Sequence, residues 1–374
     1  MRFLFTAPAA AGHLFPMVPT AHALLAAGHE VLFAGSAPLD FLRNTGIPVV
    51  DVGDGGTLGD HFARMREEGV EFVSNGRSDE ETFRLAAIGF ALHARVTVPA
   101  LLRVAEAWQP DVLVHAPFQA AAPLVAAKLG IPTVVHNFGA MPTAAMVGML
   151  AEQFADEYRE HGVSGPVVGR VLDVLPASLG GDGTGWRSRY VPYNGGGVVP
   201  VEQLGGAGGR PKVVVTLGTV LTEWDGVRAI TGLVRQAAAV DADFLLAVGE
   251  ADLAMLGELP ANVRPLPWVP LSVLVGGVDA IVHHGGDGST WTSAAAGLPQ
   301  LVLPQGANQF INAGVVADQG IGLRSSSEEV DSALLERLLT DEGLRKAAAG
   351  VRAEIAALPS PAELVPELVA YGKR

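Results

Sequence analysis

The sequence contains no cysteine among its 374 residues. This absence excludes disulfide bonds, thiolate nucleophiles and zinc sites with cysteine ligands. It fits the reducing cytoplasm, where we expect the protein to be located. Basic residues are also scarce, since 25 Lys and Arg stand against 39 Asp and Glu, which gives a formal net charge of −14. Such an acidic chain argues against binding to nucleic acid or to a membrane surface.

Long apolar runs are missing as well. No stretch approaches the roughly 18 uninterrupted apolar residues that a transmembrane helix requires, so we expect none. The first residues, MRFLFTAPAAAGHLFP, combine an arginine with a short apolar run, as a signal peptide does. The run is broken at Pro8 and again at His13, which makes it too short for the apolar region of a signal peptide. A first β-strand is the better interpretation.

Apolar runs alternate with helical patterns in both halves of the sequence. The predicted strands are RFLFTA, EVLFAG, PDVLVHA and PTVVHN in the first half, and KVVVTLG, DFLLAVG, DAIVHH and PQLVLP in the second. The predicted helices are MVPTAHALLAAGH, AAPLVAAKLG, VRAITGLVRQAAAV and STWTSAAAG, followed by helical segments from Ser326 to Leu358 and from Ala362 to Tyr371. This alternation predicts βαβ units and parallel sheets.

A stretch rich in glycine and proline, YNGGGVVPVEQLGGAGGRP (193–211), interrupts the alternation. It has no clear period and is typical of a linker. We therefore expect two Rossmann-like α/β domains with a cleft between them. The expected bounds are 1–199 for the N-terminal domain, 200–211 for the linker and 212–358 for the C-terminal domain, with a last helix over 359–374 that returns to the N-terminal domain.

The segment HHGGDGST follows a predicted strand and precedes a predicted helix. Ligands bind at this edge of a parallel sheet, and the free N–H groups at a helix N-terminus attract anions. Gly285, Gly286 and Gly288 would let the backbone approach a phosphate, Ser289 could cap the helix and donate to an oxygen, and His284 could donate to a second one. A tight turn with a capping serine and packed histidines is the alternative. The segment is neither a GxGxxG nucleotide motif nor a P-loop.

The two adjacent histidines do not predict a metal site. His283 and His284 lie next to each other on a predicted strand, so their side chains point to opposite faces. They cannot readily bind one ion together, and we expect a site without metal.

Trp268 lies between prolines in a loop upstream of this segment. An indole ring in that place offers a flat face on which a base can stack. Packing in the core is the alternative, and it is the commoner fate of a tryptophan.

The stretch from Trp268 to Gln309, with WVPLSVL and VHHGGDGSTWTSAAAGLPQLVLPQGANQ, resembles the donor-binding signature of UDP- or TDP-sugar-dependent glycosyltransferases. More narrowly, the chain is similar to the actinomycete enzymes that decorate antibiotics, and within these to the enediyne-type enzymes. GHLFP, VPYNGGG and TLGT extend the resemblance over the whole chain. The resemblance implies a GT-B fold, in which two Rossmann-like domains with parallel sheets face each other across a cleft. The N-terminal domain would bind the acceptor and the C-terminal domain the nucleotide sugar, with no metal or cofactor.

The resemblance also implies roles for individual residues. Trp268 would stack on the nucleobase and the Val269 backbone would contact its edge. Asn308 and Gln309 would face the sugar hydroxyls. His13 would be the general base that takes the acceptor proton during an inverting transfer, a role that suits a group titrating near neutral pH. The diphosphate would be held mainly by Thr219, His284, Gly286 and Ser289. The complete predicted donor site is Gly218, Thr219, Trp268, Val269, His284, Gly285, Gly286, Gly288, Ser289, Thr290, Thr292, Asn308 and Gln309.

The sequence departs from the family pattern at three positions. Thr292 replaces a glutamate that grips a ribose diol in relatives, which favours a TDP donor. Asn308 replaces the usual aspartate, which fits a deoxysugar. Ala116 replaces the acid that supports the base histidine. His115, Asp60 and His61 are candidates for that support, and an acidic acceptor such as a phenol would need little of it.

Apolar side chains in the first half suit a broad hydrophobic acceptor such as a polyketide or enediyne aglycone. Phe62, Phe90, Phe138 and Met141 are the candidates, with core packing as the alternative. Two other functions stay open: C-glycosyl transfer to an aromatic polyketide, and a non-catalytic protein that binds nucleotide sugar and activates another enzyme. A nucleotide-sugar epimerase would share the fold. A homodimer is also open.

Overall fold

The structure is a computed structural model. Thr219 and most of the predicted linker lie outside the residues that it describes. The described residues are 1–67, 79–167, 169–181, 183, 185–201, 209–218, 227–249, 251–306 and 308–373.

The chain divides into two compact units, each an α/β structure around a parallel sheet, as the alternating sequence pattern predicted. The first unit contains residues 1–189 and 358–374, and the second contains residues 190–357. The division falls between Arg189 and Tyr190. Residues 190–199, which the sequence analysis assigned to the N-terminal domain, therefore lie in the second unit.

The first sheet has seven strands among the described residues, in the order β3-β2-β1-β4-β5-β6-β7, and every pair is parallel. Its strands are β1 (Arg2–Thr6), β2 (Glu30–Gly35), β3 (Val49–Asp51), β4 (Val112–His115), β5 (Thr133–His136), β6 (Arg170–Asp173) and β7 (Trp186–Arg187). The order reverses at β1 and β4, so the loops after these two central strands lie side by side at the carboxyl edge of the sheet, where α/β proteins bind ligands.

The helices of the first unit begin in the loop after β1. They are α1 (Ala11–Leu14), α2 (Val18–Ala26), α3 (Asp40–Arg43), α4 (Leu58–Glu67), α5 (Asp79–Trp108), α6 (Ala121–Leu129), α7 (Thr143–Gln153) and α8 (Ala155–Glu160). The stretch 81–108 of α5 is long and apolar enough to cross a membrane by composition, and about half of it is buried inside the protein. Core helices of soluble proteins have the same composition. Here α5 packs against α4, α6 and α7.

The second sheet has six parallel strands among the described residues, in the order β10-β9-β8-β11-β12-β13. Its strands are β8 (Lys212–Thr216), β9 (Asp243–Leu246), β10 (Val263–Pro265), β11 (Ala280–His283), β12 (Gln300–Val302) and β13 (Gly322–Arg324). Val213 and Val215 belong to one buried cluster and Val214 to another. The continuous apolar run in β8 is thus explained by burial of both faces of the sheet.

Helices flank this second sheet, and the last helix belongs to the first unit. Those of the second unit are α9 (Thr231–Ala237), α10 (Leu271–Leu274), α11 (Asp287–Ala296), α12 (Gln309–Asp318), α13 (Ser332–Thr340) and α14 (Glu342–Ala357). The C-terminal helix α15 (Pro361–Gly372) packs against α2, and the chain leading to it is fixed where Arg189 N donates to Pro359 O (2.8 Å). Ser360 and Glu363 form a capping box at its start.

Candidate active site

The HHGGDGST segment forms the turn between β11 and α11 in the second unit. Helix α11 begins at Asp287, with Gly286 as N-cap and no side chain capping it. The first N–H groups of a helix have no intrahelical acceptor, so here they remain open to an anion. The predicted capping role of Ser289 is wrong, because the helix begins two residues earlier and Ser289 lies within its first turn.

The ring of His284 lies between two glycines. A Cβ atom at Gly218 would lie 2.6 Å from Cε1 of His284, and one at Gly286 would lie 2.4 Å from its Nε2. Strands β8 and β11 are paired neighbours, which brings the loop containing Gly218 beside the loop containing His284. Gly285 has φ +93°, a conformation that favours glycine. Side chains at these positions would close the space that the loops share.

The adjacent histidines have different surroundings. His283 is held on both ring nitrogens: Nε2 donates to Gln300 Oε1 (2.8 Å) and Nδ1 accepts from Gly285 N (3.0 Å). Nδ1 of His284 is buried without a partner. Burial lowers the pKa of His284 to about 3, so its ring is neutral at physiological pH. Among the described residues, no three His, Asp or Glu side chains are grouped as a metal site would require.

Trp268 is half exposed, with 50% of its surface accessible. Packing in the core, the alternative for this residue, is therefore wrong. A Cβ atom at Gly197 would lie 3.4 Å from Cδ1 of Trp268, so the chain at Gly197 runs alongside the indole. Val269 is buried in the core of the second unit. The exposed ring offers the flat face that stacking on a base requires.

Thr290 and Thr292 point into the protein. Both side chains are fully buried, and the Thr290 hydroxyl donates to Gly286 O (2.9 Å). Tyr190 lies near Thr292, and Nδ2 of Asn194 donates to Oγ1 of Thr292 (3.3 Å). Oδ1 of Asn194 accepts from Ser272 N (2.9 Å). Asn194 and Tyr190 lie beside Thr292. The hydroxyls of Thr290 and Thr292 are therefore occupied by groups inside the second unit.

Asp287 is a site residue that the sequence analysis missed, although it lies inside the quoted segment. It is buried, and its carboxylate accepts hydrogen bonds from Trp291, Asn308 and Asn312. Burial raises its pKa to about 6, although these donors oppose the shift. Asn308 and Gln309, the predicted sugar contacts, are partly exposed at the start of α12, next to this carboxylate.

His13 lies on α1 in the loop after β1, partly exposed and enclosed by aromatic rings. Its ring centroid is 4.8 Å from Phe138, 5.2 Å from Phe118 and 5.4 Å from Phe90. Its Nδ1 is buried without a hydrogen-bond partner. Burial lowers the pKa of His13 to about 4, and the neighbouring His93 lowers it further. The base form therefore predominates at neutral pH, in an apolar surrounding.

Another histidine, His93, is close enough to His13 to lower its pKa. His93 on α5 is buried, bonds Ser36 Oγ through Nε2 (3.0 Å) and contacts the ring of His61 at 5.1 Å. Asp60 is exposed, and its carboxylate accepts from Thr57 N and Oγ1 (2.8 Å each). His115 is buried, and its Nδ1 forms a hydrogen bond with Ala116 O (3.0 Å). Only tertiary packing brings His93 to this place, and no local sequence signal marks it.

Three of the predicted acceptor residues, Phe62, Phe90 and Phe138, belong to a cluster of rings that includes His13. Phe62 packs on Phe90 (5.3 Å), and Phe90 packs on Phe118 (4.4 Å). Met141 is buried, and its carbonyl accepts from Nδ2 of Asn137 (3.2 Å). Phe118 was missed, although it follows Ala116 by two residues in PDVLVHAPF.

The sequence matches a family described as erythromycin biosynthesis protein CIII-like. The N-terminal domain of the family matches residues 22–218 and its C-terminal domain matches residues 231–371. The chain belongs to this family. The match covers both units, and it confirms the resemblance to the glycosyltransferases of antibiotic biosynthesis.

Relatives align over the full length of the chain. It is 40% identical to the elloramycin glycosyltransferase ElmGT of Streptomyces olivaceus, over all of this chain and 98% of that protein. The crystal structure of the glycosyltransferase SnogD from Streptomyces nogalater superposes with a TM-score of 0.86 at 37% identity, over 99% of each chain. The spinosyn rhamnosyltransferase SpnG, complexed with thymidine diphosphate, superposes with a TM-score of 0.85 at 28% identity, over 99% of this chain and all of SpnG.

These matches show that the protein is a glycosyltransferase of the GT-B type. SpnG has also been solved in complex with the spinosyn aglycone. The narrower likeness to enediyne-type enzymes stays a prediction.

Proposed function

We propose that this enzyme moves a deoxysugar from a TDP-sugar to a hydroxyl of an apolar natural-product aglycone. The transfer inverts the anomeric carbon, needs no metal and uses His13 as the general base. The observation that carries this proposal is the partly exposed His13 imidazole, neutral and enclosed by Phe90, Phe118 and Phe138. A ring of this kind can take a hydroxyl proton from an acceptor held by apolar contacts.

The donor is assigned to the second unit. Trp268 offers a stacking face, and the uncapped N-terminus of α11 offers N–H groups and a positive dipole end to the diphosphate. The His284 ring and the glycines beside it line the same loops. TDP is favoured because thymidine lacks the ribose 2′-hydroxyl that a carboxylate at position 292 would bind, and because the solved relative SpnG is complexed with thymidine diphosphate.

O-transfer is favoured over C-transfer because the C-glycosyltransferases that the chain resembles use an acidic base deeper in the N-terminal domain, and Asn137 is not an acid. Its Oδ1 accepts from Phe138 N (2.8 Å), and its Nδ2 donates to Asp173 Oδ1 (2.9 Å) and Met141 O (3.2 Å). This amide holds the backbone of the following loop and has no capacity left to act on a substrate. A non-catalytic role is disfavoured, because the matched relatives ElmGT and SnogD are glycosyltransferases.

The test is turnover by the purified protein alone, supplied with a TDP-hexose and a phenolic acceptor. We expect a glycosylated product in which the anomeric configuration, assigned by NMR, is inverted. Trp268→Ala should weaken TDP binding in calorimetry by about tenfold or more, since stacking of a base on an aromatic ring contributes about 1–3 kcal/mol. A retained configuration would reject the inverting mechanism. Release of free nucleotide without acceptor would favour an epimerase-like reaction.

The same assay tests the metal-free reaction. Activity should survive EDTA, because N–H groups and side chains neutralise the diphosphate in this proposal. Loss of turnover in EDTA, restored by a divalent cation, would contradict it.

A further inference from the structure

The carboxylate of Asp287 faces three side-chain donors within the second unit. Only 7% of the residue is accessible to solvent. Its Oδ1 accepts from Nε1 of Trp291 (3.0 Å) and from Nδ2 of Asn312 (3.1 Å), and its Oδ2 accepts from Nδ2 of Asn308. Asn312 is anchored further by Gly285 O (2.8 Å). The carboxylate thus ties the start of α11 to the start of α12.

This contact fixes the orientation of the Asn308 amide. An ionised carboxylate only accepts hydrogen bonds, so the amide must turn its NH2 group towards Asp287. Its Oδ1 then points away. In the described part of the chain this oxygen has no partner, and Asn308 is partly exposed. Asn308 therefore presents an acceptor oxygen to whatever binds beside it.

Gln309 is oriented in the opposite sense. Its Oε1 accepts from Gln305 N (2.8 Å) and Gly306 N (3.3 Å), which leaves the NH2 group as the outward atom. The two neighbouring amides thus present one acceptor and one donor. A sugar hydroxyl both donates and accepts, so a hydroxyl and an adjacent oxygen of a hexose match this pair.

We propose that Asp287 is a positioning residue for the donor sugar, which it serves by holding the Asn308 carbonyl oxygen towards a sugar hydroxyl. This rests on the proposed function, in which Asn308 and Gln309 face the sugar. Without Asp287 the amide could turn over and present NH2 instead. Asn308 and Gln309 would then both present donors, and the match to a hydroxyl beside a second oxygen of the hexose would be lost.

Exchange of the Asp287 carboxylate for an amide tests the proposal. In Asp287→Asn, the new Oδ1 accepts from Trp291 and Asn312 as the carboxylate does now, and the new NH2 group faces Asn308. The Asn308 amide must then turn over, and its outward atom becomes a donor. We expect the Kd of the TDP-sugar to rise by up to about tenfold, which is the loss expected for one hydrogen bond. The Kd of TDP alone should not rise, because the exchange removes a negative charge at the helix N-terminus that is assigned to the diphosphate.

Asn308→Asp should also weaken TDP-sugar binding, because it places two carboxylates in contact. In the double variant Asp287→Asn, Asn308→Asp, the amide at 287 donates to the carboxylate at 308, which again turns an acceptor oxygen outward. We expect it to recover most of the affinity lost in each single variant. Asp318→Asn, an exposed change of the same type on α12, is the matched control and should bind both ligands like the original protein.

Calorimetry with TDP and with TDP-sugar measures these effects without an acceptor, and thermal unfolding confirms that each variant is folded. Wild-type affinity of Asp287→Asn for TDP-sugar would overturn the proposal. So would a double variant no better than the single ones, or an equal loss of affinity for TDP and TDP-sugar. If the unchanged protein binds neither TDP nor TDP-sugar, the proposed function itself fails.

Discussion

The surroundings of His13 decide what kind of base it can be. Burial among phenylalanine rings lowers its pKa to about 4, the nearby His93 lowers it further, and Ala116 stands where the resemblance implies an acid. A neutral histidine without a carboxylate can accept a proton, but the imidazolium that forms is poorly stabilised. Such a base suits an acceptor hydroxyl that ionises easily, such as a phenol.

Replacing His13 by Ala should therefore lower the rate by an amount that depends on the acceptor. General bases contribute roughly 10²–10⁴-fold. An aliphatic alcohol needs the base fully, whereas an acidic phenol is already partly ionised and should lose less. The measurement is kcat for both proteins on phenols of graded pKa, with TDP affinity as the control. Near-original rates of the variant on every acceptor would mean that His13 only packs.

The low pKa of His13 has a consequence for the pH profile. An ordinary histidine loses its base form as the pH falls through about 6.5. With a pKa of about 4, His13 keeps it, so kcat at saturating donor should stay level from about pH 8 down to about pH 5.5. Circular dichroism at each pH verifies that the protein is folded. A half-maximal rate near pH 6.5 would show that the histidine titrates normally in the enzyme–substrate complex.

At the scale of elements, the segment around residues 190–197 is joined to helix α11. Asn194 links Thr292 to the backbone of Ser272, and Tyr190, in the same segment, lies near Thr292. This segment contributes to the second unit through those hydrogen bonds and through the contact of Gly197 with Trp268. It occupies the space into which a longer side chain at position 292 would extend.

Thr292→Glu should shift donor preference from TDP towards UDP, since a carboxylate grips a ribose diol. Made alone, the change forces a carboxylate against Tyr190 and Asn194, and burying a charge without partners is costly. We expect a Tm lower by several degrees in the single variant and a clearer rise in the UDP to TDP affinity ratio when Asn194→Ala is added. The same ratio in all variants, measured by calorimetry, would contradict the role of position 292.

For the whole molecule, histidines with lowered pKa values set the response to acid. The pKa is lowered by burial to about 4 for His13, His93, His115, His136 and His283, and to about 3 for His284. The unfolded chain titrates its histidines near pH 6.5 and so binds protons that the folded chain refuses. The stability that comes from keeping these rings neutral is complete above pH 6.5 and is lost as the pH falls towards 4. Asp287, whose pKa is raised to about 6, has the opposite effect on stability as the pH falls, but a single carboxylate does not offset six histidines.

We therefore expect the free energy of unfolding to decrease steeply below about pH 6.5, by about 1.4 kcal/mol per pH unit for each extra proton bound by the unfolded chain. Urea unfolding at a series of pH values measures this slope. His136→Gln, which removes one buried titrating ring, should make the slope shallower. A stability that is constant between about pH 6.5 and pH 5 would show that these histidines are not held neutral by the fold.

Much of the fold could be predicted because its signals are local. The runs that became β1, β2, β4, β5, β8, β9, β11 and β12 are short, apolar and bounded by turn residues. The strands that were missed are short and lie away from the centre of their sheets, and a strand of two or three residues such as Trp186–Arg187 leaves no pattern to recognise. The 30-residue helix α5 was missed because its apolar and charged residues mix without a clear period.

The sequence by itself determined the fold class, the family and the loops at which the ligands are expected, because glycine turns, apolar periods and short motifs act over a few residues. Only the tertiary structure decided which side chains meet. It brought His93 to His13, placed Asn194 beside Thr292, turned Trp268 outward, and joined Asp287 to Asn308 across 21 positions of the chain. Such contacts depend on how strands and helices pack, since a hydrogen bond or a pKa shift arises from distance in space, which no local pattern records.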